Sequence, residues 1–512
     1  WYHTGVKNFV SRYRTLLTVA ALAAACFLVY STNLTNPLFW DDTDWIVNNP
    51  FVHEFSWENL KNWLTKNTLA GIGLKSNYYR PFLFFTFTLN YVLDGIKPLG
   101  YHLVNNGLHI ANGLLIFFLL WKVFQSRFIA FFTSLFFLIH PLQTEAVTYI
   151  AGRGDPLNVF FMLLALWLFT LAEKRGLSWK AWQRIATVPL LVLAVLSRET
   201  AIIFPFLLIV WYIAFLARKP FWPALKTAMV KAAPYLAIVV VYGVLRLTVL
   251  NFENTLNFYI QQNVYSENLL VRMYAFLGIL LTYARLLVVP TGLHMERSAT
   301  VFLSPGYWQV IVPLALLGAV VVFLVRSWRS RRNFSDIGMS HIGLFALGWF
   351  FVNLGPTSGI TPINALLYEH WLYVAMVGPL VLLFFVLDRA MQQWKRIKPF
   401  VIAGVAGVAI LFSVLTVQRN RLWGDPIRFF EDILRYEPAS ARINNTLGNL
   451  YYNQGNHAKA EEYYWKAVSV EDAFPQPHFN LGTILEARKD VRGAIVEFQK
   501  AIEIDPDFPF AH

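Results

Sequence analysis

Cysteine is almost absent from this 512-residue chain. Cys26 is the only one and lies inside an apolar run, so neither a disulfide framework nor a cysteine-based metal site can be built. Charge is scarce as well: Asp, Glu, Lys and Arg make up 14% of residues, against roughly 25% in soluble domains. Hydrophobic residues make up 56% and aromatics 17%, which excludes a soluble core for most of the length and points to a polytopic membrane protein. The net charge of +13 would suit nucleic acid, but Lys and Arg fall in short clusters between apolar segments and form no basic stripe. Nucleic acid is therefore not expected as a partner. There is no Gly-rich phosphate loop of the Gly-x-x-x-x-Gly-Lys type, and no His-Glu-x-x-His run. The chain starts at Trp1 and stops inside a repeat, so both ends are expected to be truncated. No signal peptide is separable, and the first apolar run would serve as its own anchor.

What the chain has instead is long apolar runs. They fall near 14–31, 102–121, 128–149, 157–172, 186–197 joined across Ser197-Arg198-Glu199 to 200–217, 228–250, 308–325, 340–354, 366–387 and 399–417, or about eleven spans. Lys7, Arg12 and Arg14 precede the first run and place the N-terminus in the cytoplasm. Alternation then puts the basic clusters 122–127, 174–184, 218–219, 326–332 and 389–398 inside. Residues 269–289 are apolar enough to span, but counting them would move cluster 326–332 outside, so they are read as re-entrant or interfacial. On that reading residues 1–420 form the membrane domain, with a first external loop over 32–100, and residues 421–512 lie outside.

The C-terminal part repeats itself. Leu447-Gly448 recurs as Leu481-Gly482, a shift of 34 residues that also maps Ala460 to Ala494, Tyr464 to Phe498 and Ala467 to Ala501. Small residues where paired helices touch and aromatics where they fill are a tetratricopeptide pattern, whose concave surface takes extended peptide or a partner protein.

The first loop carries Asp41 and Asp42 among aromatic residues that suit a membrane interface, then Tyr79-Arg80-Pro81, with His102 and Asn105 heading the next span. Further clusters share its level: His140-Pro141 with Glu145, then Arg153 and Asp155, then Arg198-Glu199, then Glu369-His370 with Tyr373. Each alone could be an ion pair holding helices together. Collected on one face, these costly groups suit an anionic lipid phosphate and a polar acceptor. Arg80, Arg153 and Arg198 are candidate phosphate ligands, because a guanidinium stays charged and grips phosphate with two donors. A divalent metal could use His140, Glu145 or His370, but the ligand spacing of a metal motif is missing and none is expected.

Over nearly its whole length the chain resembles the transmembrane and tetratricopeptide-repeat O-mannosyltransferases, within the GT-C fold. The resemblance rests on Asp41-Asp42 followed by Asn49-Pro50, on Tyr79-Arg80-Pro81 leading to His102-Leu103-Val104-Asn105, on His140-Pro141 with Thr144-Glu145-Ala146-Val147 and Gly152-Arg153-Gly154-Asp155, and on Glu369 with Leu372-Tyr373. It implies an all-α membrane bundle followed by a repeat solenoid, with the active site and repeats on the external or luminal face of a cytoplasmic or endoplasmic reticulum membrane. It also implies inverting transfer of mannose or another hexose from a polyprenyl or dolichyl phosphate to Ser or Thr of a protein acceptor, with no cofactor required. By similarity Asp41 is the general base and Asp42 its partner. The remaining polar residues (Tyr79, His102, Asn105, His140, Glu145, Asp155, Glu199, Glu369, His370, Tyr373) would line the substrate site. Two departures stand out: His370 where relatives carry Arg, and Ser197-Arg198-Glu199 where they carry Ser-Lys-Glu. The alternatives are a lipid-linked oligosaccharide or polymer ligase, separable by the mass transferred, and a non-catalytic membrane scaffold.

Overall fold

Hydrocarbon offers no water to backbone N–H and C=O groups, so an apolar chain that crosses it must satisfy them within each segment, as a helix does. Every regular element among the described residues is accordingly helical. The computed structural model describes residues 2–252, 263–329, 337–363, 365–506 and 508, with side chains from Tyr13 onward. The expected cytoplasmic charges at Lys7 and Arg12, and cluster 326–332 from residue 330 on, lie outside the described side chains. By contact density the chain divides into two units, Trp1–Thr291 with Ala299–Arg421, and Gly292–Ser298 with Leu422–His512.

The first unit opens with α1 (Tyr2–Tyr30), a loop containing the short helix α2 (Trp57–Thr65), and α3 (Pro81–Asp94). It continues through α4 (Pro98–Phe124), α5 (Arg127–Ile139), α6 (Gly154–Lys174), α7 (Thr187–Ser197), α8 (Phe204–Trp211) and α9 (Phe221–Leu247). Then come α10 (Leu269–Val288), α11 (Trp308–Arg329), α12 (Met339–Leu354), α13 (Val377–Gln393) and α14 (Lys398–Leu422). Among the described residues eight helices are long and apolar enough to cross a membrane, or nine if Arg127–Ile139 and Pro141–Val147, bent by 53°, form one broken span, against about eleven apolar runs in the sequence. The 11-residue α7, 16-residue α12 and 17-residue α13 are apolar but shorter than a full span.

The bundle has two chemically different ends. At one, Ser126 Oγ donates to Asp388 Oδ2 (3.4 Å), Arg127 reaches Thr15 (3.3 Å), and Glu173 pairs with Arg184 and with Lys231 (2.7 Å). At the other, amides knit helix ends together. Asn33 and Asn106 exchange hydrogen bonds (3.1 and 3.0 Å), Thr148 donates to Asn420 Oδ1 (2.5 Å), and Asn420 Nδ2 donates to the carbonyl of Val29 (3.0 Å). Such side-chain bonds hold apolar helices where burial of apolar surface gives no drive. Gly378 serves the same end: a Cβ there would lie 2.5 Å from the carbonyl oxygen of Ala346, so only glycine lets α12 and α13 approach this closely.

Several bonds anchor α10. Its start is tied to the α12–α13 connection, where Arg272 Nε donates to Gly359 O (2.6 Å). Near its finish, Leu287 O bonds His140 Nε2 (3.1 Å) at the α5 turn, and the Tyr283 hydroxyl donates to Tyr368 O (3.3 Å). By length and composition α10 is among the helices that could cross a membrane, so whether residues 269–289 span is a question for experiment.

In the second unit α15 (Pro426–Tyr436) precedes the helix pairs α16 (Ala441–Asn453) with α17 (His457–Val470) and α18 (Pro475–Ala487) with α19 (Val491–Ile504). The 34-residue repeat is visible in the packing. A Cβ on Gly448 would lie 2.3 Å from the Tyr464 ring, and one on Gly482 would lie 2.6 Å from the Phe498 ring, so each glycine admits the aromatic of its paired helix.

The non-spanning reading of residues 269–289 sets a topology. On a Cys26→Ala background, cysteines introduced at Lys75 and at Lys500 are expected to react with an impermeant maleimide from the same side of sealed vesicles. Labelling from opposite sides would show that α10 crosses the membrane.

Candidate active site

The acidic pair enters the amide-rich end on a strained turn. Trp40 holds φ at +59°, a left-handed conformation costly for so large a residue, and the next backbone bonds close the turn from Phe39 to Asp42. Asp42 then accepts the Phe39 N–H on Oδ2 (3.3 Å) and the Ala151 N–H on Oδ1 (2.7 Å), which pins the first loop to the head of α6. Asp42 is 1% exposed. Burial pushes its carboxyl up to about 8, against the two backbone N–H groups that favour the ionised form. Asp41 is half-buried, and its carboxylate acts on the Tyr149 hydroxyl. A π-helical turn over Thr43–Val47 follows and buries Trp45 and Ile46.

Two sets of buried charges lie on the same face. Arg80, at the N-terminus of α3, donates from Nε to Glu199 Oε2 (3.0 Å), while the Tyr79 N–H donates to Oε1 (2.9 Å). Its guanidinium lies against the rings of Tyr78 (4.5 Å) and Trp45 (5.3 Å). Burial weakens its hold on its proton, but the Glu199 carboxylate more than offsets this, and Arg80 stays charged. The pair uses Nε and leaves the terminal nitrogens for another anion.

The second set is a chain. Arg198 donates from NH1 to Asp155 Oδ2 (2.7 Å) and from NH2 to His370 Nε2 (3.1 Å). Guanidinium only donates, so His370 Nε2 must accept and the imidazole proton sits on Nδ1. That proton is given to Glu145 Oε1 (2.5 Å). Glu145 Oε2 accepts the backbone N–H groups of Glu369 (3.1 Å) and His370 (3.2 Å), and the Glu369 carboxylate lies 3.6 Å from Arg419.

Other expected site residues are used differently. Arg153 is fully buried and gives its N–H groups to Asn105 Oδ1 (2.7 Å), to Thr86 O (3.1 Å) and Oγ1 (3.3 Å), and to Tyr101 O (3.2 Å). Asn105 in turn donates to the carbonyl of Val147 (3.1 Å), and His102 bonds Asn36 O (3.0 Å). His140 caps the turn after α5 through the Leu142 N–H (3.3 Å), and the Tyr373 hydroxyl is engaged by His109 (2.9 Å) and Asn112 (3.1 Å). Among the described residues no three His, Cys, Asp or Glu side chains gather to hold a metal ion.

Arg198, Asp155 and His370 also border a polar cavity, together with Asn158, Thr200, Asn353, Thr357 and Trp371, that encloses about 400 Å³ of empty space partly open to solvent. Val159, Met162 and Val374 also line it, and they border as well a small apolar void among Leu163, Leu166, Phe204, Leu207 and Trp349. Sequence reading missed Asn158 and Asn353, although the signal was there: each is an uncharged polar residue inside an apolar run.

The tetratricopeptide repeat family profile matches residues 427–477 and 446–509. Over 90% of its length the chain is 27% identical to protein O-mannosyl-transferase F38B6.6 of Caenorhabditis elegans, covering 64% of that protein. It is 25% identical over 96% of its length to protein O-mannosyl-transferase TMTC3 of Mus musculus, of which 55% is covered. A stretch of 162 residues is 37% identical to protein O-mannosyl-transferase TMTC1 of Homo sapiens, 18% of which is covered. The resemblance drawn from the motifs thus extends over nearly the whole chain, which spans between about half and two thirds of the first two relatives' length.

The Asp42 geometry predicts a pH dependence of stability. The folded chain keeps a proton up to about pH 8 that the unfolded chain releases near its ordinary value of 3.8. Stability from this group is therefore full below 3.8 and is lost as the pH rises towards 8, by an amount on the order of a few kcal/mol. Asp42→Asn should flatten the decline of the melting temperature between pH 4 and 8; an unchanged slope would mean that Asp42 titrates normally.

Proposed function

We propose that this chain is a membrane glycosyltransferase that moves mannose or another hexose from a polyprenyl or dolichyl phosphate to a Ser or Thr hydroxyl of a protein, with inversion. The observation that carries the reading is the cavity bordered by Arg198, Asp155 and His370, on the same face as Asp41 and Asp42. The lipid tail would stay among the apolar helices, leaving phosphate and sugar at the polar level. Similarity to proteins named O-mannosyl-transferases supports the same class of reaction.

In the transfer step the acceptor oxygen attacks the anomeric carbon from the side opposite the phosphate. The new C–O bond forms as the sugar–phosphate bond breaks, the hydroxyl proton passes to the Asp41 carboxylate, and the bonding electrons leave with the lipid phosphate. Asp42 is already bonded to Phe39 and Ala151, so it positions the turn rather than taking the proton. Arg80 would steady the charge growing on the phosphate. Arg153 is withdrawn from that role, since its donors are engaged by protein acceptors. The anchored lipid supplies proximity on one side, and a peptide held by the tetratricopeptide repeats supplies it on the other.

Asp41→Asn keeps shape and removes the base, so transfer should be abolished while fold and lipid binding persist. Full activity in that variant would sink the assignment, and loss in Asp42→Asn with activity kept in Asp41→Asn would exchange the two roles. For the phosphate, Arg80→Ala is expected to cost on the order of a hundredfold in turnover, the range for removing one stabilising donor. Arg80→Lys keeps the charge but loses the planar fork, and should fall between the two. Normal turnover of lipid-linked donor by Arg80→Ala would transfer the role to Arg198.

A further inference from the structure

Two side-chain carbonyls in the polar cavity have no hydrogen-bond partner in the protein. Asn158 gives its amide N–H to Thr200 Oγ1 (3.0 Å) and Asn353 gives its own to Trp349 O (2.7 Å), while both Oδ1 atoms are unpaired. Asn158 is 1% exposed and Asn353 is 9% exposed. The Trp349 carbonyl can only accept, which fixes the Asn353 amide with its oxygen unpaired, whereas the Thr200 hydroxyl can donate or accept and leaves one atom of the Asn158 amide unpaired in either orientation. Arg198 Nε, at the same cavity, is a donor with no partner. Buried polar groups are nearly always satisfied, so the cavity has unmet needs of both kinds, acceptor and donor.

Those needs select among ligands. A phosphate offers acceptors only, so it could serve Arg198 and would leave the Asn353 oxygen unmet. A hydrocarbon tail serves none of them. Neighbouring hydroxyls both donate and accept, and Trp371 in the cavity lining supplies apolar surface for the C–H side of a ring. Asp155 and Asn158 are three residues apart on α6, so they face the cavity together, one turn beyond the Ala151 N–H that holds Asp42.

We propose that Asn158, Asn353 and Arg198, with Trp371, form the pocket that holds the sugar of the lipid-linked donor by its hydroxyls and selects which sugar is transferred. This inference rests on the glycosyl-transfer reading above. In it, Asn158 and Asn353 accept hydrogen bonds from two sugar hydroxyls, Arg198 Nε donates to a third oxygen, and the phosphate stays outside the pocket near Arg80.

The test compares two lipids of equal chain length, polyprenyl-phosphate mannose and bare polyprenyl phosphate, bound to the full-length chain in lipid nanodiscs. Wild type is expected to prefer the sugar-bearing lipid by roughly tenfold or more, the value of one or two neutral hydrogen bonds. Asn158→Ala and, separately, Asn353→Ala should each remove most of that preference while affinity for the bare lipid is unchanged. Bare-lipid affinity reports the fold of each variant, and the substitutions lie on different helices, so one remains decisive if the other misfolds. A preference retained in both variants, or equal binding of the two lipids by wild type, would overturn the sugar pocket and leave the transferase reading standing. Failure of wild type to bind either lipid would overturn that reading and the pocket with it.

Discussion

The arrangement depends on one electrostatic constraint: charges buried at the amide-rich end of an apolar bundle must be compensated by groups brought from other segments. Removing two charges from water costs several kcal/mol per ion, and only close, well-bonded pairing repays it. Here Asp155, Arg198, His370 and Glu145 come from separate stretches of chain and meet in one line of hydrogen bonds. Arg80 and Glu199 join the first loop to the α7–α8 break in the same way. Because each partner sits on a different helix, the pairs fix how helix ends are placed around the polar cavity. Breaking one would leave a buried charge unpaired.

The two acidic residues differ in their surroundings. Asp42 is held by two backbone N–H groups and ties the first loop to the start of α6. Asp41 is the more accessible of the two. The left-handed turn at Trp40 and the π-helical turn after Asp42 are local departures from easy backbone geometry, and both flank these carboxylates.

Much of this was legible in the sequence, for reasons that can be stated residue by residue. Apolar run length announced the long helices, and the 34-residue period announced the glycine–aromatic contacts of Gly448 with Tyr464 and Gly482 with Phe498. Polar clusters interrupting apolar runs marked Glu145, Asp155, Arg198 and His370, which do meet. Sequence could not say which arginine was already engaged. Arg153 looks like Arg80 in one dimension and differs only because Asn105, Thr86 and Tyr101 surround it. The shorter apolar runs became helices of 11 to 17 residues, for which run length in the sequence is a poor guide to a full span. The orphaned amides of Asn158 and Asn353 needed coordinates, because an unmet hydrogen bond is a property of the surroundings and not of the residue.

The proposed reaction is inverting transfer of a single sugar from a lipid monophosphate. Incubating the purified chain with β-linked polyprenyl-phosphate mannose and a serine-containing peptide, then determining the anomeric configuration of the product by NMR, tests it. One α-linked mannose on the serine oxygen is expected. A β-linked product, or transfer of a preassembled oligosaccharide, would contradict it.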